Sequence, residues 1–391
     1  MAKTYDTYKD SGIAWIGEIP SEWEVCRMKN ISIISSGDII SKEEYMDNGQ
    51  YPIIGSNGEI GRINKINNNK NVLTTGRVGS IGTVQLVKDS WITDNALIIN
   101  ITSDDNIRYI YYALPLLDYQ LISTGTAQPL ISASALKTQS LPLPSVKEQQ
   151  SITSFLDSKC AEIDALISLQ EEMISELQAY KQSVITEAVT KGLNPHAKMK
   201  DSGVEWIGEI PEEWNIKRLK YLCTIATGNK DTQDSESDGI YKFYVRSPII
   251  ERSNSWTFEG EGILMAGDGA GAGRVFHHAF GKYAVHQRVY RMANFRDINT
   301  YFLFYYLSSL FCKIMDMGSA QSTVPSVRLP MLTNFFVCCP PLTEQQSIAN
   351  YLDEKTSQID SLITLKQEKI QELKDYKKSI IYEYVTGKKR V

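Results

Sequence analysis

"DSGIAWIGEIPSEW" runs from Asp10 to Trp23, and "DSGVEWIGEIPEEW" runs from Asp201 to Trp214. Over the twenty positions that begin at Asp10 and at Asp201, thirteen are identical, among them Trp15/Trp206, Pro20/Pro211, Trp23/Trp214 and Arg27/Arg218. Each opening has its own matching close. "PSVKEQQSITSFLDSKCAEIDALI" (Pro144–Ile167) corresponds to "PLTEQQSIANYLDEKTSQIDSLI" (Pro341–Ile363). The chain is therefore two tandem units, roughly 10–192 and 201–388. A period near 190 residues is far longer than the ~20–50 of solenoid repeats, so a whole domain with its helix has been duplicated. The middles, roughly 30–143 and 221–338, have diverged strongly. Identical frames around different inserts suggest one task carried out on two targets; neutral drift of an old duplication is the alternative.

The 391 residues are 42 % hydrophobic and 22 % charged, as in packed soluble domains. No run of about 18 apolar residues spans a membrane, and the polar start "MAKTYDTYKD" is not a signal peptide. Six scattered cysteines form no CxxC pair, which argues against zinc and against a secreted disulfide framework. A reducing cytoplasm is the expected home. The net charge of −5 argues against a generic polyanion binder but leaves room for a locally basic face.

Each unit closes with a long helical pattern. Proline-rich "LPLP" and "CCPP" break what precedes it, and Ser145…Glu148 and Thr343…Gln346 have capping-box spacing. Ile163, Ile167, Ile174, Leu177 and Val184 fall on a 4-3 stepping, with Gln170 and Lys181 in the remaining slots. Ile359, Ile363, Ile370, Leu373 and Ile380 repeat it, with Lys366 and Lys377 in the matching slots. This is a heptad-like seam. Running to Val189-Thr190 and Val385-Thr386, each helix is expected to have about 38 residues, hence ~57 Å. An apolar stripe needs a cover. The matched seams favour mutual antiparallel pairing about a pseudo-twofold axis, with the domains at opposite ends, over two helices each packed on its own domain. "KGLNPHAKMK" (Lys191–Lys200) reads as the hinge between units.

The middles read as short strands between glycine turns, each followed by an aromatic helix, "IRYIYYALPLLDY" and "TYFLFYYLSSLF". The fold class is α+β. The glycine loops Gly76–Gly82 and Gly267–Gly273 lack GxxxxGK[ST] order, and no capped helix follows them, so a nucleotide loop is a poor reading of them. They are tight turns, or places where backbone approaches the phosphates of a polymer, with Arg77 and Arg274 beside them. Asn95 and Gln287 fall at equivalent positions by sequence offset, and an amide can bond adenine bidentately or cap a turn. Gly125 pairs with Gly318, and Gln128 with Gln321. Other basic and polar candidates are Arg62, Lys65, Lys70 and Lys137 in the first middle, and Arg246, Arg252, His286, Arg288 and Arg328 in the second. Solvated surface is the default for most. The four histidines have no metal spacing, and adjacent His277 and His278 would face opposite sides of a strand. No H-E-x-x-H, G-x-S-x-G or Walker motif occurs. The expectation is a chain without catalytic, metal or cofactor sites of its own.

With these motifs the sequence resembles the specificity (S) subunits of type I restriction–modification systems. The frame W-x-G-x-I-P-x-x-W-x-x-x-R-L-K stands as Trp206-Ile-Gly-Glu-Ile-Pro211…Trp214…Arg218-Leu-Lys220. The helix entry EQ-x-x-I…LD…ID-x-LI stands at 142–167 and 340–363, and "VTG" at 385–387. The first copy departs at Met28, where the frame has leucine, and its helix ends "VTKG". The resemblance covers nearly the whole chain, twice, in order. It implies target-recognition domains at 1–144 and 201–341, spacer helices at 145–192 and 342–391, and a linker at 193–200. Each domain would read half of a split double-stranded DNA target, with base contacts drawn from the candidates above. The helices would act as a ruler and dock two methyltransferase (M) subunits. S-adenosylmethionine would be bound by M, and ATP and Mg by restriction (R) subunits. A two-domain adaptor for proteins, and a carbohydrate or nucleotide enzyme using the glycine loops, are the rival readings.

Overall fold

The structure, a computed structural model, describes residues 4–102, 104–125, 129–318 and 325–391. Its long helices are α1 (Asp104–Ala113), α2 (Val146–Lys191), α3 (Thr300–Gly318) and α4 (Leu342–Val385). The chain forms two compact units, residues 1–170 with 368–391, and residues 171–367. The division falls inside α2 and inside α4, so it does not follow the sequence repeat.

The first unit opens with the hairpin Tyr8–Asp10 and Glu18–Pro20. Its main sheet is antiparallel, in the order Ser32–Ser36, Ala96–Ile101, Val72–Gly76, Val84–Val87. All five residues of Val72–Gly76 are buried, as a central strand covered on both faces must be. A smaller sheet joins Gly58–Ile63, Tyr51–Gly55 and Trp91–Ile92, the last pair parallel. Strand Ser140–Leu143 pairs with Glu24–Arg27 and delivers the chain to α2. One core holds Trp23, Met28, Leu97, Tyr109, Leu156 and Ile163 together with Ile380 and Val385 from the end of α4. Tyr109 Oη is the buried polar link of that core, its one proton shared between the carbonyls of Pro142 (3.0 Å) and Val385 (2.9 Å).

The second unit repeats this plan. Met199–Asp201 pairs with Glu209–Pro211. The main sheet runs Thr224–Thr227, Val289–Ala293, Gly262–Ala266, Phe276–Ala279. A second sheet runs Glu251–Ser253, Tyr241–Tyr244, Lys282–Val285, Phe258–Glu259, with a parallel pair at its centre. Helix α3 buries Phe302, Leu303, Tyr306, Leu307, Leu310 and Phe311, which is why its sequence is apolar around most of its circumference. Both aromatic segments are helical, as the sequence indicates.

Within each unit the helical segments run antiparallel. In the first, the rings of Phe155 and Tyr384 lie 4.5 Å apart, and nine residues further along α2, but seven residues earlier in α4, Lys377 Nζ meets both Asp164 oxygens at 2.7 Å. In the second, Lys181 Nζ holds Asp360 at 2.7 and 2.6 Å, and Lys366 Nζ reaches Met173 Sδ at 3.3 Å. Ile163, Ile359, Ile370 and Ile380 are buried, and Ile167, Ile174, Leu177, Val184, Ile363 and Leu373 are half-buried. All ten predicted seam positions thus turn inward. The polar seam slots at Lys181 and Lys377 take the aspartates of the repeated "ID" step as partners.

Three expectations are corrected. The helices are longer than 38 residues: α2 has 46 and α4 has 44. The opening hairpins begin at Tyr8 and Met199, so residues 199 and 200 belong to a strand and not to the hinge. The second capping box does not form. Helix α4 starts at Leu342, and the carbonyl of Pro341 takes the first helical N–H groups, which puts Thr343 inside the first turn. Gln346 accepts instead from Asn299 Nδ2 (2.8 Å) and donates to Asn350. In the first copy Ser145 does cap, accepting from Glu148 N at 3.4 Å, but the Glu148 carboxylate turns elsewhere, as described in the Discussion. Among the described residues no helix is long and apolar enough to cross a membrane.

Candidate nucleic-acid interface

In both domains some of the interface candidates lie where the main-sheet strands end at a glycine loop. The two loops are built alike. Arg77 N donates to the Asn95 carbonyl (2.9 Å), and Ile131 N to the Arg77 carbonyl (2.9 Å). In the second domain Gly267 N donates to the Arg288 carbonyl (2.8 Å), and Val327 N to the Gly267 carbonyl (2.8 Å). Arg77 is therefore the counterpart of Gly267, and Asn95 of Arg288. This corrects the pairing of Asn95 with Gln287 taken from sequence offset; Gln287 corresponds to Asp94. The register slipped because the loops differ in length by a few residues, which no single offset accommodates. Gly76 is required by crowding: a Cβ there would stand 2.1 Å from the Ser80 carbonyl oxygen.

In the first domain Arg77 is half-buried at the loop mouth, with Nη1 donating to Ser36 Oγ (3.4 Å) and the Asp94 carbonyl (3.5 Å). Asn95 beside it is exposed. Lys137 ends the short helix Ala133–Lys137 that follows the loop-bonded Ile131. Arg62 stands apart from this group. Its guanidinium holds the carbonyls of Gly49 (2.7 Å) and Gln50 (2.9 Å) and the Glu59 carboxylate (3.0 Å), fastening its own hairpin. Lys65 lies over the Trp91 ring at 4.5 Å and pairs with Glu44. Gln128 and Gln321 lie outside the described residues.

The second domain brings more of its candidates together. Arg246 Nη1 meets Asp268 Oδ1 at 3.0 Å, and Arg288 Nε stands 3.7 Å from Asp268 Oδ2. Gln287 Nε2 donates to Asp231 Oδ2 at 3.0 Å. Of these, Arg246 and Asp268 line an open cleft of about 630 Å³, together with Ser247, Gly269 and Gly271. Arg274 is exposed at the end of the loop, its N–H bonded to the Gly271 carbonyl. Arg328 is exposed directly after the loop-bonded Val327.

His286 is placed differently from the other candidates. Its ring is buried, with 3 % of the side chain exposed. Nδ1 accepts from Arg288 N (3.0 Å), while Nε2 faces Thr232 Oγ1 (3.3 Å) and Asp231 (3.5 Å). Burial lowers its pKa, and the Arg246 charge lowers it further, against the pull of Asp231. A neutral ring accepting at Nδ1 braces the turn that carries Gln287 and Arg288 without presenting an edge to a ligand. His277 and His278 have different neighbours, the Ser247 carbonyl and Glu261 respectively, as opposite faces of a strand require. Sequence reasoning missed Asp231 and Asp268; Asp268 sits inside the glycine run "GDGAGAG", where an aspartate is an ordinary turn residue, so neither carried a signal of its own.

Arg246 in the cleft lining, with Arg288 beside Asp268 and Gln287 on Asp231, supplies functional groups of the kind that recognise base edges in a major groove. Among the described residues no cluster of His, Cys, Asp and Glu is arranged to hold a metal ion.

A family model described as type I restriction modification DNA specificity domain matches residues 20–179 and again 211–375. The chain is 25 % identical to a putative type I restriction enzyme MjaX specificity subunit of Methanocaldococcus jannaschii, covering 96 % of each chain. It is likewise 25 % identical to the MjaVIII specificity subunit of that organism, over 95 % of this chain and 94 % of the other. The EcoDI specificity subunit of Escherichia coli is 29 % identical over 44 % of this chain and 38 % of its own. A solved structure described as concerning complex assembly and conformational transition of the type I R-M system superposes with a TM-score of 0.69 at 18 % identity, over 94 % of this chain and 99 % of that one. That likeness shows the shared fold.

Proposed function

The chain belongs to the type I restriction-modification DNA specificity family, and on that premise we propose that it is the sequence-specificity subunit of a restriction–modification complex. Its two domains read the two halves of a bipartite DNA target. The observation that carries this is the double match: the family's domain occurs twice, its frames nearly identical and its middles diverged. Phosphate contacts from exposed lysines and arginines set register, and base-edge contacts at the loop mouths set sequence. Two M subunits dock on the helices and use S-adenosylmethionine for methyl transfer; R subunits, with ATP and Mg, carry cleavage. The chain itself is non-catalytic. Partner subunits that share phosphate contacts reconcile an acidic chain with DNA binding.

Footprinting of the complex with M tests this reading. The expected result is two protected base clusters on one face of the duplex, with affinity falling steeply as salt rises. A complex that assembles but leaves no footprint at any salt concentration returns the chain to the class of protein adaptors.

A further inference from the structure

Three strand ends converge at Asp268. Arg246 follows strand Tyr241–Tyr244 of the second sheet, Asp268 follows Gly262–Ala266, and Arg288 precedes Val289–Ala293. The carboxylate is fixed at both levels. Its backbone is bridged to Ser326, and the neighbouring amides of Gly267 and Gly269 bond the carbonyls of Arg288 (2.8 Å) and Pro325 (3.0 Å). Its side chain is 22 % exposed, whereas those of Arg246 and Arg288 are 45 % and 64 % exposed.

An aspartate in this position is costly for backbone binding. Phosphate contacts depend on net positive charge, and a carboxylate between two arginines cancels part of it. Nor does it serve stability, since exposed ion pairs contribute little. What it does supply is direction: a guanidinium held by a carboxylate keeps its plane, and a fixed plane matters for a bidentate contact with a base edge. We propose that Asp268 is a specificity-determining positioning residue, aligning the Arg246 fork, which it hydrogen-bonds at 3.0 Å, on guanine in the half-site read by the second domain, with Arg288 kept nearby by charge alone at 3.7 Å. Among the described residues the first domain does not repeat the arrangement. Asn95 stands at the counterpart of Arg288, and Arg77 at the counterpart of Gly267, so the first domain presents its arginine from the opposite strand. The inference rests on the DNA-reading function proposed above.

The test is methylation mapping in a host genome that carries the chain with its M subunit, combined with salt-titrated DNA binding by the purified complex. Wild type is compared with Asp268→Asn, Arg246→Lys and Arg288→Lys. The lysine variants keep the charge and lose the fork, so unchanged guanine preference in them removes what Asp268 would align and overturns the proposal even should Asp268→Asn fail to fold. The expected result is at least a tenfold loss of guanine preference in one half-site, the other half-site unchanged. Affinity for unrelated DNA should hold or rise, whereas a folding defect would lower both. Unchanged guanine preference in folded variants, or a half-site without guanine, overturns the role of Asp268 while leaving the reading function intact. A wild-type chain that directs methylation to no bipartite sequence sinks the reading function itself.

Discussion

The indole Nε1–H of Trp23 donates to Glu148 Oε2 at 3.1 Å, across 125 residues of chain. Trp214 makes the same bond to Glu344 at 3.0 Å. The twice-written opening and the twice-written helix entry are therefore two sides of one joint, which explains why the frame was kept while the middles changed. Tyr5 Oη adds a bond to Glu148 Oε1 at 2.6 Å. Hydrogen bonds to a charged partner are worth about 1.5–3 kcal/mol each. Glu148→Ala and Glu344→Ala are each expected to destabilise their own unit by about 2 kcal/mol in urea unfolding. Changes below about 0.5 kcal/mol, the usual scatter of surface substitutions, would remove the joint from the account.

The glycines that follow the helices close the same joints. Gly387 has φ +71°, and a Cβ there would lie 2.3 Å from Pro20 Cδ. Gly192 has φ +78°, with Glu344 Oε1 and Trp214 Cζ2 at 2.9 and 3.1 Å from the same ideal atom. Left-handed strain and overlap act together. Gly387→Ala is expected to cost more than about 1 kcal/mol, and Gly192→Ala slightly less, because its nearest neighbour is a side chain able to shift. Thermal unfolding of both variants checks the order.

The helix seam separates packing from charge. Lys377→Ala removes the ion pair with Asp164, and Lys181→Ala the pair with Asp360. Both lysines are only partly covered, so each substitution should cost under about 1 kcal/mol. Ile380→Ala, which empties a buried position, should cost about 2–4 kcal/mol. A loss from the lysine variants as large as or larger than that from the isoleucine variant, in urea unfolding, would contradict the primacy of the apolar stripe.

Acid should open the second unit before the first. His277, His278 and His286 all lie in it, and burial holds each pKa below the ordinary imidazole value, against the opposing pull of Glu261 on His278 and Asp231 on His286. The unfolded chain takes up those protons at about pH 6.5, where the folded domain still refuses them. Stability is thus fully present above about pH 6.5 and declines as the pH falls toward the depressed folded values. The first unit contains no histidine. Amide hydrogen exchange between pH 7 and pH 5.5 should show protection lost first in residues 171–367; earlier loss in the first unit would contradict the assignment.

Repeats and periodicity carried most of the architecture, because both can be read from the sequence without knowing which residues touch. The two readers, the aromatic helices and the inward positions of the seam follow from offset matching and 4-3 stepping. The joint between Trp23 and Glu148 was not legible, since nothing in the spacing distinguishes a capping glutamate from one that turns to a distant indole. The start of α4 misled for a similar reason: Thr343 has the right chemistry for a cap but stands two residues too late. At the interface the residue types were legible and the pairing was not. Asn95 and Arg288 became counterparts only through their shared carbonyl roles, and the burial of His286 depends on long-range packing against Thr232 and Asp231.

The central claim is that the two middles read DNA independently within a fixed frame. Replacing residues 30–143 with the corresponding middle of another family member, and mapping methylation in a host that supplies M, tests it most directly. The account predicts that one half of the methylated motif changes, while the other half and the number of base pairs between them stay the same. A motif altered in both halves, or altered in spacing, would contradict it.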